Sequence, residues 1–224
     1  MDAPRLWTFP KWTNLAGVGL LLGLLTVPVY LGLLLAYGAN ATTLNVGYQP
    51  KQPVPYSHAV HVGKLGMDCR YCHTTVEQTG FAALPSTDIC MNCHKTILPD
   101  SARMALVQQS YVEGTPIPWK KVHLMADYVY FNHSAHVNVG VGCIECHGPV
   151  EQMETVYMAK PLNMAWCLEC HRDPKPYLRP RDQVTNMNWT PQGADNPRAR
   201  ADLGKKLEEN YHVRASTDCV TCHR

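Results

Sequence analysis

The chain has 224 residues, 17% charged side chains, 8% aromatics and a formal charge of +2. That length holds one or two ordinary domains, but so few aromatics do not describe a large hydrocarbon core. Near-neutral, interspersed charge supplies no basic patch, so no nucleic-acid partner is expected.

Taken from the N-terminus, residues 1–14 carry Arg5 and Lys11, and residues 15–38 then run without a charge. At about 1.5 Å per residue, that apolar run spans roughly 36 Å, enough to cross a bilayer with some tilt. Trp7, Trp12 and Tyr37 flank it as interfacial aromatics, and Pro28 inside it is tolerable in a membrane helix. The first charge after the run is Lys51. The positive-inside rule therefore keeps residues 1–14 in the cytoplasm and sends everything after about residue 40 to the far side of a bacterial inner membrane. Ala39-Asn40-Ala41 has the form of a signal-peptidase site, but the apolar run exceeds a signal h-region, so an uncleaved anchor is expected. Gly19 and Gly23 form a GxxxG step on which another membrane helix could pack. Residues 39–55, with Gly47, Pro50, Pro53 and Pro55, read as a stiff linker.

Beyond the linker the chemistry begins. The pattern CxxCH occurs five times: Cys69/Cys72/His73, Cys90/Cys93/His94, Cys143/Cys146/His147, Cys167/Cys170/His171 and Cys219/Cys222/His223. Such a box attaches c-type haem, its thiols adding to the porphyrin vinyl groups and its His binding iron from one side. With 10 Cys and 11 His, shuffled sequence would give about 0.02 such boxes. All ten cysteines are consumed. Disulfides would not require a His after every pair, and zinc sites do not favour CxxC-His contiguity. Five covalent haems are therefore expected, with the macrocycles supplying most of the core.

Two of the boxes are preceded by the same aromatic-x-His-x-x-His phrase, Tyr56 to His61 before Cys69 and Phe131 to His136 before Cys143. The copies stay in step: Val76-Glu77-Gln78 and Val150-Glu151-Gln152 follow their boxes at one offset, and each copy closes on a second box. Residues 56–95 and 131–172 are thus a repeated two-haem unit. Residues 96–130 connect them, with a short helix from Ser101 to Ser110 and a rigid Pro116-Ile117-Pro118 piece. Residues 173–224 form a Pro-rich wrap, a helix capped by Asp195 or Asn196 with Pro197 in its first turn, and the fifth box.

The box histidines are the proximal iron ligands, leaving His58, His61, His123, His133, His136 and His212 for sixth positions. The paired histidines and His123 are the expected distal ligands. His212, Met153 and Met164 follow with less motif support, and a Met ligand would raise one haem's potential. Two histidines on one short segment can face different irons and hold two haems close.

Aromatic-x-His-x-x-His before CxxCH resembles the cytochrome c3 and c7 multihaem families. That resemblance implies that the first His of each pair serves the following box, His58 for Cys69 and His133 for Cys143, while the second reaches another haem. Several stretches together resemble the membrane-anchored pentahaem cytochrome c subunit of alternative complex III: Phe9-Pro10-Lys11-Trp12, Gly47-Tyr48-Gln49-Pro50, Asp68 to His73, Trp119 to His123 and Trp166 to Arg172. The likeness covers nearly the whole chain. It implies a mostly irregular fold with short α-helices, wrapped around five haems and carried on one transmembrane helix. It also implies quinol oxidation by the complex, an iron–sulfur subunit and an integral-membrane quinol-binding subunit as partners, and delivery to a periplasmic cytochrome, soluble carrier or oxidase. No catalytic residue is expected in this chain. The competing readings are a self-contained membrane-anchored quinol dehydrogenase and a catalytic multihaem reductase. The latter needs an open iron position, which no variant box marks.

Overall fold

The computed structural model describes residues 9–38, 45–191, 193 and 195–223. The flanking residues Arg5 and Trp7 and the Ala39-Asn40-Ala41 site lie outside them. The chain divides into two compact units, Met1–Leu44 and Asn45–Arg224.

In the first unit, a 3-10 turn at Lys11–Thr13 leads into α1, Asn14–Gly38. Leucine-rich, uncharged and with no buried side chain, α1 is long and apolar enough to cross a membrane. The Thr26 hydroxyl donates to the Leu22 carbonyl at 2.8 Å, so this polar group inside the apolar run is satisfied within the helix.

The second unit is built from short helices: α2 Cys69–Cys72, α3 Thr87–His94, α4 Ala105–Glu113, α5 His133–Val137, α6 Cys143–His147, α7 Met164–Arg172, α8 Pro197–Asn210 and α9 Cys219–Cys222. A widened π-helical turn, Ala59–Lys64, carries His61. Among the described residues there is no strand, only one antiparallel bridge between Val141 and Leu178. Side-chain caps explain several helix starts, because the first N–H groups of a helix lack internal partners. Asp68 accepts from Arg70 N, Asn132 from Ala135 N, Asn163 from Trp166 N, and Asn196 from Arg198 N and Ala199 N.

The hydrocarbon core is thin. Val54, Met91, Met104 and Val107 form its main cluster where α3 meets α4, with Tyr111, Ile117 and Trp119 against it. The remaining buried apolar side chains are Met153, Met158, Leu178, Val184, Met187 and Leu207, so half of the buried set is methionine. Flexible thioether chains fill irregular gaps between elements that pack poorly on one another.

Residues 47–54 lie against this unit rather than standing off as a spacer. Gly47 N bonds Met158 O, Met158 N bonds Tyr48 O, Gln49 reaches Thr155 O, and Gln52 exchanges two hydrogen bonds with Lys120. Val54, 6% exposed, is part of the core.

Candidate haem-binding site

Each box places its two cysteines at i and i+3 on a short helix, so both sulfurs lie on one face with the His just beyond. No disulfide joins any of the ten cysteines. Eight are half-buried, whereas Cys93 of the second box and Cys219 of the fifth are exposed. Among the described residues, no group of three or more His, Cys, Asp or Glu converges as a metal cluster would. Burial pushes the Cys146 thiol up to about 12 and the Cys170 thiol up to about 11.

The two modules repeat in three dimensions. Tyr56 meets His58 edge-on at 4.8 Å and stacks on His61 at 4.4 Å; Phe131 meets His133 edge-on at 4.8 Å and stacks on His136 at 4.5 Å. The shared place of the aromatic within the two phrases therefore has a physical reason: one ring braces two imidazoles. The second His of each pair points Nδ1 at the carbonyl four residues back, His61 to Ser57 at 2.8 Å and His136 to Asn132 at 2.7 Å.

Box histidines are oriented the same way. His73 Nδ1 faces the Ala83 carbonyl at 2.8 Å, His94 that of Ile97 at 2.9 Å, His171 that of Ser216 at 2.7 Å and His223 that of Tyr128 at 3.2 Å. A carbonyl only accepts, so each Nδ1 carries the proton and each Nε2 keeps a free lone pair, as an iron ligand requires. His147 differs, with Nδ1 3.1 Å from His123 Nε2 and the two rings near-perpendicular at 4.2 Å.

Ring separations test the fit of haem. Two imidazoles on opposite sides of one iron, with metal–nitrogen bonds of about 2.0–2.1 Å, have centres roughly 6.3 Å apart. His61 and His94 are 6.2 Å apart, His133 and His147 6.4 Å, and His136 and His171 5.9 Å. His58 has His73 as an electrostatic neighbour. Burial first, then nearby imidazoles, lowers His58 and His123 to about 4 and His147 to about 3, so these rings are neutral donors at physiological pH. The residues present fit a six-coordinate haem between each of the three pairs with these separations.

The other sequence candidates fall elsewhere. His212 is exposed, in a left-handed backbone conformation just past α8. Met164 is 67% exposed at the start of α7, and Met153 is 4% exposed with its methyl group near Gly148. His58 Nδ1 is buried without a hydrogen-bond partner, unlike its repeat counterpart His133, which has the Gly80 carbonyl at 2.9 Å.

The modules join through reciprocal contacts. Ala59 N bonds Met153 O, and at the equivalent place in the other copy Ser134 N bonds Thr79 O. Gly63 lies so close to the Glu151 carbonyl that an added Cβ would sit 2.3 Å from its oxygen; its counterpart Asn138 donates to the Glu77 carbonyl. At this junction Cys69 and Cys143 are neighbours: the pairing and burial push the Cys69 thiol up, while Cys69 beside it holds Cys143 down against the opposing effect of burial. First and second boxes adjoin through the shared His58–His61 segment and a bond from Asn92 to Tyr71. Third and fourth boxes adjoin through His133 and His136, and the fourth meets the fifth through His171 with Ser216 and Cys167 near Cys222. In space the boxes thus run second, first, third, fourth, fifth. The two exposed thiols, Cys93 and Cys219, belong to the end boxes.

Residues 178–189 clamp the junction between modules, an arrangement with no motif to announce it. Arg179, 4% exposed, pairs with Glu145 of the third box at 2.6 Å, donates to the Asn186 carbonyl and stacks its guanidinium on Trp189. It fits only because Gly142 has no side chain: a Cβ there would lie 2.2 Å from Arg179 Nε. Thr185 bonds Asp68 at 2.7 Å, reaching the first box as well.

Residues 129–224, holding the last three boxes, match the family model of cytochrome c7 and related cytochrome c. The chain is 37% identical over 123 residues to the menaquinone reductase, multiheme cytochrome c subunit, of Nitratidesulfovibrio vulgaris, a match covering 54% of this chain and 58% of that protein. It therefore spans a little over half the length of this curated relative. Residues 129–224 form a cytochrome c7-like multihaem domain, and that likeness implies covalently bound c-type haem.

Proposed function

We propose that this chain is a membrane-anchored cytochrome c that holds five haems and relays electrons inside a quinone-linked membrane complex. The single observation that carries the reading is the ring pairing at 5.9–6.4 Å in three histidine pairs, a spacing that would let each of those pairs hold one iron. When bound, haem supplies reversible one-electron chemistry. The chain's own residues attach the groups, orient their ligands and keep neighbouring boxes in contact. His58 and His73, His61 and His94, His133 and His147, and His136 and His171 are the pairs that would hold four of the haems, His212 is left as the proposed sixth ligand opposite His223 of the fifth box, and the second and fifth boxes are the two ends of the row.

α1 serves as a single-pass anchor in the inner membrane, with the haem unit on the periplasmic side, and the multihaem subunit nature of the relative supports membrane-complex partners. The full-length resemblance favours a quinol-oxidising complex of the alternative complex III type, with iron–sulfur and quinol-binding subunits beside this one. The relative's name, a menaquinone reductase, favours the opposite direction as a second reading.

Mass spectrometry of the membrane-extracted protein is expected to show five covalent haems, and the reduced protein to bind no carbon monoxide. Fewer haems would overturn the count, and one stoichiometric gas-binding haem would overturn the relay in favour of a catalytic site. Electron flow after adding quinol, compared with flow after adding a low-potential donor and quinone, fixes the direction.

A further inference from the structure

Of the five box histidines, four rest Nδ1 on a main-chain carbonyl, whereas His147 rests it on the Nε2 of His123. The contact is 3.1 Å with near-perpendicular rings, the arrangement in which one imidazole N–H enters the lone pair of another. Two tautomer pairs could make this bond. If His123 donated, the proton of His147 would sit on Nε2, and that ring would have no free lone pair left to hold iron. Ligation therefore selects His147 as donor and His123 as acceptor, its own proton on Nδ1. His147 already has His133 as its stacked partner, with an interplanar angle of 17°.

We propose that His123 is a positioning residue, the hydrogen-bond acceptor that orients the proximal ligand of the third box, and not an iron ligand. This rests on the haem reading above and revises the sixth-ligand role that its sequence position first gives it. His123 is delivered by the connector just after Trp119-Lys120, where Gln52 ties down both the Lys120 N–H and carbonyl. The connector thereby reaches the box at the junction of the two modules. An acceptor on Nδ1–H makes the ligand more electron-rich and favours ferric iron, so its loss raises the potential of that one haem.

The deciding variant is His123→Gln, whose amide oxygen can accept the same bond but which is a poor iron ligand; His123→Leu removes the acceptor. In the purified holo-protein, the Gln variant is expected to keep every haem low-spin, with all potentials near those of the parent. The Leu variant is expected to stay low-spin and show one potential shifted upward. One equivalent of high-spin, carbon-monoxide-binding haem in the Gln variant would overturn the proposal by making His123 a ligand, and so would unchanged potentials in a folded Leu variant. A parent protein without covalent haem would instead overturn the function proposed above, so the two failures are distinct.

Discussion

At the scale of single residues, Tyr56 and Phe131 show how a motif position acquires its chemistry. Each ring touches both histidines of its pair, edge-on to one and face-on to the other. Phe131→Ala is therefore expected to alter two haems together, those at Cys143/Cys146 and Cys167/Cys170, while the haems of the other module keep their spectra. A redox titration followed by electron paramagnetic resonance checks this, and a change confined to one haem would contradict the shared brace. Arg179 is the other residue whose role is decided by its surroundings. It is buried and paired with a Glu145 side chain that is 30% exposed, so the charge left by its removal is partly hydrated and costs less than the about 3–5 kcal/mol of a fully buried pair. Arg179→Ala should lower the unfolding temperature of the holo-protein far more than Lys205→Ala, whose pair with Glu209 is exposed.

At the scale of elements, the helices are too short to stand alone, and caps and neighbours hold them. Asp68 begins α2, and losing such a cap costs about 1 kcal/mol. Burial alone would raise its carboxyl, but the Thr185 hydroxyl and the Arg70 N–H and guanidinium outweigh this and hold it below the ordinary 3.8. The contribution is complete above the unfolded carboxyl's pKa and disappears as pH falls through the lower folded value. Acid unfolding of Asp68→Asn should accordingly begin at higher pH than in the parent, with the two curves differing least at the most acidic end. The junction between modules makes a second prediction. Gly63→Val would push a side chain into the Glu151 carbonyl, and about 1–3 kcal/mol of overpacking is expected in thermal melts. Asn138→Ala, at the equivalent place, loses one hydrogen bond worth about 1 kcal/mol.

At the scale of the whole molecule, the second unit has a small methionine-rich core and many exposed apolar side chains around the boxes, among them Phe81, Leu84 and Val220. Burying a large apolar side chain contributes about 1.5–3 kcal/mol, so a protein that leaves these uncovered needs its cofactors to cover them. Chain produced without haem attachment is expected to lack a cooperative thermal transition, with fast amide exchange in α2, α6 and α9.

What could be read before folding is what short, local spacing encodes. Five CxxCH boxes, the duplicated aromatic-x-His-x-x-His phrase and the apolar run of α1 are all legible because attachment chemistry, ligand geometry and membrane thickness each impose a local pattern. Asn196 and Pro197 announced the start of α8 for the same reason. Only the tertiary structure decided which histidines face one another, the row of boxes with exposed Cys93 and Cys219 at its ends, the docking of residues 47–54, the clamp of Arg179 on Glu145 and the contact of His123 with His147. These contacts join residues far apart along the chain, and Arg179, Ser216 and Tyr128 act through a guanidinium or a main-chain carbonyl that any sequence position could supply. Nothing in residue type or spacing marks such a partner until the backbone has folded back to place it.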